Sequence, residues 1–147
     1  MNEQSEERPI WLVEDSPADV ELVRYSFDQH GIRGPVTVFS DGEAVIRQIK
    51  EIEAHCPTGG CQNTPRLALL DVNLPRRTGL EVLERIRSSS VLAQIPVVVF
   101  TSSASERDRA MSDNLGAQEY VLKGLDLDDF TKVGAVVKRL LLSGPVH

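Results

Sequence analysis

No stretch of this sequence approaches the roughly 20 consecutive apolar residues that a membrane-spanning helix requires, so no membrane partner is expected. The chain begins MNEQSEERP, polar and acidic where an export signal is basic and then apolar, and the expected location is cytoplasmic. Positive charge is scarce as well: 16 Lys and Arg stand against 22 Asp and Glu, giving a net charge of −6 with the two signs interspersed. A nucleic-acid surface needs clustered basic side chains to meet phosphates, so no direct nucleic-acid partner is expected, and proteins or small anions are the expected partners. Cysteine is limited to Cys56 and Cys61, in HCPTGGC beside His55. That could form half a zinc site, but no second pair of ligands follows; in a reducing compartment the pair reads as free thiols in a flexible loop, with a regulatory disulfide as the alternative. Neither a repeat nor a linker is present, and 147 residues suit one domain large enough to bury a core without staples.

What the chain does have is alternation. Short apolar runs, IWLV (Ile10 to Val13), VTVF (Val36 to Phe39), LALL (Leu67 to Leu70), PVVVF (Pro96 to Phe100) and EYVLK (Glu119 to Lys123), read as strands. Between them the pattern predicts helices from about Ala18 to His30, Gly42 to Ile52, Thr78 to Ser88 and Ser105 to Leu115, with a last one from Leu127 to Leu142. Ser16 suits the cap of the first helix and Pro17 its first turn. The segment 53–66, rich in Pro, Gly and polar residues, reads as an extended surface loop. Five strands alternating with five helices imply a parallel sheet covered on both faces, with ligand sites at the carboxyl ends of the strands.

Those ends carry the chemistry. Glu14 and Asp15 follow the first strand, Asp71 the third, Thr101 the fourth, and Lys123 closes the fifth. Each alone has a plain explanation as a cap, a turn residue or a solvated charge, but all of them fall at the same end of different strands. Carboxylates brought together repel, so the set makes sense around a cation, and oxygen ligands on an open rim indicate Mg²⁺. Thr101 and Lys123 supply donors for an anion on the far side of that ion, which makes a phosphoryl site with Asp71 as nucleophile.

With these residues in view the chain resembles the response-regulator receiver domain of two-component signalling over about residues 9–142. The resemblance rests on VEDSPADVELV, LLDVNLPRRTGLEVL, PVVVFTSSAS and YVLKG. It implies an α/β fold: a flavodoxin-like doubly wound five-stranded parallel sheet, order 2-1-3-4-5, with five helices in three layers. It also implies that Asp71 accepts a phosphoryl group from a histidine kinase, and that Asp15, Asp71 and the backbone carbonyl of Asn73 bind Mg²⁺ while Glu14 acts through water. Thr101 and Lys123 would contact the phosphoryl group, and Tyr120 matches an aromatic that swings inward on activation. The domain would then have tails at 1–8 and 143–147. One departure is Gly124, where the family usually has Pro; a cis bond costs about 3 kcal/mol more before Gly, so a trans or strained bond is expected. Single-domain regulators that work with phytochrome kinases are similar in lacking this Pro and in carrying extra residues before the third strand.

Only 24 residues follow Lys123, so the expectation is a single-domain regulator whose output is a protein contact. The helix SERDRAMSDNLG has few anchors, chiefly Met111 and Leu115, and is expected to move with Tyr120. Leu127, Val136 and Leu142 extend the apolar surface of the last helix beyond one face, pointing to a homodimer, while the broad apolar set of the first helix, Val20, Leu22, Val23, Tyr25 and Phe27, would meet a kinase or phosphotransfer protein. Rival readings are a degenerate receiver that only docks partners, a flavodoxin-like electron carrier and a phosphatase. The acidic EDSPAD where a flavin phosphate would need Gly, Ser or Thr argues against the carrier, and Asn73 where a second acid would be needed argues against the phosphatase. The chain is accordingly not expected to be an enzyme beyond its own phosphorylation and dephosphorylation.

Overall fold

The computed structural model describes residues 8–143. Five parallel strands, β1 (Ile10–Val13), β2 (Val36–Phe39), β3 (Leu67–Leu70), β4 (Val97–Thr101) and β5 (Glu119–Leu122), form one sheet in the order β2-β1-β3-β4-β5. Because successive side chains in a strand point to opposite faces, strands covered on both sides must be apolar throughout. Ile10, Leu12, Leu67, Leu69, Val98 and Phe100 build one half of the core, and Trp11, Val13, Ala68, Leu70, Val97 and Val99 the other. Among the described residues no helix is long and apolar enough to cross a membrane.

Helix α1 (Pro17–Gln29) covers the first face together with α5 (Leu127–Phe130) and α6 (Lys132–Leu142), while α2 (Gly42–His55) and α3 (Gly79–Arg87) cover the second. Helix α4 (Glu106–Asn114) flanks β5. The starts are set by side-chain caps: Ser16 accepts from the Asp19 N–H, Asp41 from Ala44, Ser105 from Asp108, and Thr78 with Glu81 forms a reciprocal capping box.

Three expectations need correction. The last helix is not continuous, because Thr131 separates α5 from α6. Ser26 of α1, wholly buried, donates its hydroxyl to the Thr131 carbonyl at 2.5 Å and accepts the Gly134 N–H at 2.9 Å, so a side chain from another helix takes groups that a continuous ladder would use. Met111 does not anchor α4; it is exposed, and the buried residue of that helix is Ser112. The cysteines are not free: Cys56 and Cys61 are joined in a disulfide. Cys56 is the buried C-cap of α2, and Gly59 and Gly60, at φ +78 and +81, turn the chain back so that Cys61 reaches it. Helix α2 itself extends to His55, which leaves 56–66 as the connection to β3. The tails expected at 1–7 and 144–147 lie outside the described residues, whereas Arg8 donates to the carbonyls of Thr64 and Pro65 and belongs to the fold.

A cross-link closing so short a loop stabilises a folded chain by about 2 kcal/mol, chiefly by restricting the unfolded one. The urea midpoint of the native chain is therefore expected to fall on reduction, and that of Cys61→Ser to be unaffected by reductant. Equal midpoints for the native chain with and without reductant would sink this assignment.

Candidate functional site

The parallel ladder continues one residue past the strands, and this places the site. The Glu14 N–H donates to the Phe39 carbonyl at 2.9 Å, the Asp71 N–H to Val13 at 3.0 Å, and the Lys123 N–H to Thr101 at 2.9 Å. Each of these three candidate residues is thus fixed by the last residue of a neighbouring strand, on the rigid end of the sheet rather than on a loose loop. Glu14, Asp71, Thr101 and Lys123 are all buried, and Asp15 is exposed.

Lys123 reaches back across the rim. Its ammonium donates to Glu14 Oε1 at 2.7 Å, Asp19 Oδ2 at 2.7 Å and Asp71 Oδ2 at 2.9 Å, so its three N–H groups meet three carboxylates. Burial alone would lower its pKa, but the bonds to Asp19, Glu14 and Asp71 outweigh that and hold it above the ordinary lysine value. Burial pushes the Glu14 carboxyl up, against the opposing pull of Lys123. The second Asp71 oxygen accepts the Asn73 N–H at 3.1 Å, and Glu14 Oε2 accepts the Ser16 N–H at 3.1 Å. Carboxylate oxygens of Glu14, Asp15 and Asp71 lie within 4.8 Å of one another, a hard-oxygen set that fits a divalent cation.

Thr101 and Tyr120 meet through a residue that sequence reasoning passed over. Thr101 Oγ1 accepts the Ser103 N–H at 3.2 Å, and the Tyr120 hydroxyl donates to the Ser103 carbonyl at 2.8 Å. The Ser103 hydroxyl in turn donates to Asp108 on α4 at 2.8 Å. Asp19 was also missed. Its signal was the third acid of EDSPAD, which a helix N-terminus explains locally without any distant partner. No cis peptide occurs among the described residues; Gly124 follows the lysine in the left-handed region at φ +74, where a Cβ would stand 2.3 Å from that of Asp129.

The family model for the response regulator receiver domain matches residues 10–134. This chain belongs to that family. It is similar to the probable methanogenesis regulatory protein FilR2 of Methanothrix harundinacea, 36% identical over 90% of this chain and 83% of the relative. It is also similar to the response regulator Rcp1 of Synechocystis, 36% identical over 90% of this chain and 87% of Rcp1. Among solved structures, the phosphorylated cyanobacterial phytochrome response regulator RcpA superposes with a TM-score of 0.80 at 29% identity, covering 96% of this chain and 99% of that one. The Mn²⁺-bound form of Rcp1 gives 0.76 at 34% identity, over 89% and 91%. A receiver is a signalling domain that interacts with histidine kinases or phosphotransfer proteins, and in this receiver the acidic cluster lies at the carboxyl edge of the sheet.

The lysine makes the buried acids tolerable in the receiver. Lys123→Met leaves Glu14 and Asp71 facing each other without their shared cation, and the expected stability loss at pH 7 is about 3 kcal/mol. Glu14, whose carboxyl burial already raises, would lose the opposing pull of the lysine and ionise still less readily folded than unfolded. That raised folded pKa penalises the native state where the carboxyl is charged, so the deficit should shrink as pH falls from 7 towards 5. Urea midpoints of native chain and variant at both pH values check this, and a constant deficit counts against it.

Proposed function

We propose that the receiver accepts a phosphoryl group on Asp71 from a phosphohistidine of a sensor kinase or phosphotransfer protein. The observation that carries the reading is the placement of Asp71: a buried carboxylate with one oxygen on the Asn73 N–H and the other 2.9 Å from a lysine ammonium. In the transfer an Asp71 oxygen attacks phosphorus, the P–N bond to the histidine breaks, and the imidazole leaves with the bonding pair and takes up a proton. Mg²⁺ would be held by Asp15, Asp71 and the Asn73 backbone carbonyl, with Glu14 through water. When bound it offsets charge on the phosphoryl oxygens.

Lys123 and Thr101 hold the phosphoryl group once it has arrived. Charge-assisted hydrogen bonds of about 1.5–3 kcal/mol each, made by the two, lie near the roughly 5.5 kcal/mol that carries a two-state population from 1:99 to 99:1. Tyr120 is the switch residue that follows Thr101, through Ser103. The output is a phosphorylation-dependent contact of the receiver with another protein in the cytoplasm. Supported by its likeness to phytochrome response regulators, a phytochrome-type kinase is the donor we favour. Helices α5 and α6, with Leu127 and Leu142 exposed, are the surface we assign to a second copy. The alternative, a receiver that docks partners without taking phosphate, is disfavoured by the presence of the acids, Thr101 and Lys123.

Intact mass after incubation with acetyl phosphate tests the reading. One phosphoryl group is expected on the native chain with Mg²⁺, and none without Mg²⁺ or on Asp71→Asn. A native chain that gains nothing with Mg²⁺ present leaves the docking alternative.

A further inference from the structure

In this receiver the lysine is reached by a carboxylate that the phosphoryl reading does not use. Glu14 and Asp71 approach the ammonium from strand ends inside the sheet, whereas Asp19 approaches from the first turn of α1, with its side chain 26% exposed. Its 2.7 Å bond equals that of Glu14 and is shorter than the 2.9 Å bond of Asp71. An ammonium has three donors, and here all three are engaged. Lys123 therefore cannot turn to an oxygen of a phosphorylated Asp71 without releasing a bond. Glu14 and Asp71 belong to the acid cluster, so the dispensable bond is the one to Asp19.

We infer that Asp19 is a positioning residue: it tethers the Lys123 ammonium to α1 in the resting receiver and competes with the phosphoryl group for it. Formation of the phosphorylated state includes breaking the Asp19–Lys123 contact, and the strength of that contact sets how tightly a phosphoryl group is held. The aspartate's own backbone is tied separately, its N–H to Ser16 Oγ at 3.3 Å, so replacing the side chain leaves the helix cap in place.

This inference rests on the proposed phosphoryl site, and the test separates the two. Beryllofluoride, a phosphoryl mimic, is titrated with Mg²⁺ into the native chain, Asp19→Asn, Lys123→Met, the double variant, and Asp28→Asn as an exposed charge-matched control on the same helix. Asp19→Asn should bind about tenfold more tightly than the native chain, the equivalent of one charge-assisted hydrogen bond, and the control within about twofold of it. In the Lys123→Met background Asp19→Asn should have no further effect, since the tether acts only through the ammonium. Equal affinity of Asp19→Asn and native chain overturns the tether, as does a gain that persists without Lys123 or appears equally in the control. Failure of the native chain to bind at all would instead overturn the phosphoryl reading. Urea midpoints confirm that each variant is folded.

Discussion

The shared cation at Lys123 is the constraint on which the carboxyl edge of this receiver depends. The central strands β1, β3 and β4 beneath it are buried throughout, so Glu14 and Asp71, 3% and 6% exposed, would repel each other there without compensation. A mobile surface lysine could not serve, because the charge must arrive where the acids already are. The parallel ladder provides this. The main chain of all three residues is held by carbonyls of adjoining strands, at 2.9 Å, 3.0 Å and 2.9 Å, so their side chains leave the sheet from fixed points. The same geometry fixes the charges, and fixed charges in a buried environment act more strongly on one another than they would in water.

A second set of contacts leads away from that edge. Ser103 has its N–H on Thr101, its carbonyl on the Tyr120 hydroxyl and its own hydroxyl on Asp108 of α4. Thr101 Oγ1 thus accepts from the loop that also carries the contacts to β5 and α4. Helix α4 offers little resistance, because its buried residue is a serine whose hydroxyl has no partner among the described residues, while Met111 lies outside. The chain of contacts from Thr101 to α4 is continuous.

Much of this was legible in the sequence, and the parts that were not share a cause. The strands could be read because burial on both faces demands unbroken apolar runs, and the first polar residue after each run then marks the carboxyl edge of the sheet. Asp71, Glu14 and Lys123 were found in that way, and the structure brings them together with Asp15. What escaped depends on partners distant in sequence. The break at Thr131 is imposed by Ser26, 105 residues earlier, and no local propensity at Thr131 announces it. Asp19 faces a lysine 104 residues away and looks, in its own neighbourhood, like an acid complementing a helix dipole. The disulfide depended on a left-handed Gly-Gly turn that brings Cys61 back over a helix end, and spacing alone could not distinguish it from a loop with two thiols.

The glycine after Lys123 draws these elements together. Where the family usually has proline, Gly124 adopts φ +74 with Asp129 packed against it, so any side chain there meets both an unfavourable backbone region and a neighbour. Asp129 is in turn fixed in the first turn of α5, its N–H on the Asp126 cap at 2.9 Å. That helix ends after four residues at Thr131, whose carbonyl is taken by Ser26 of α1. Helix α1 therefore holds the lysine from two directions: through Ser26 and α5 it braces the backbone that delivers Lys123, and through Asp19 it grips the ammonium itself. A prolyl ring restricts one torsion, whereas here α1 contacts the lysine through Asp19 and, by way of α5, reaches the segment that follows it through Ser26.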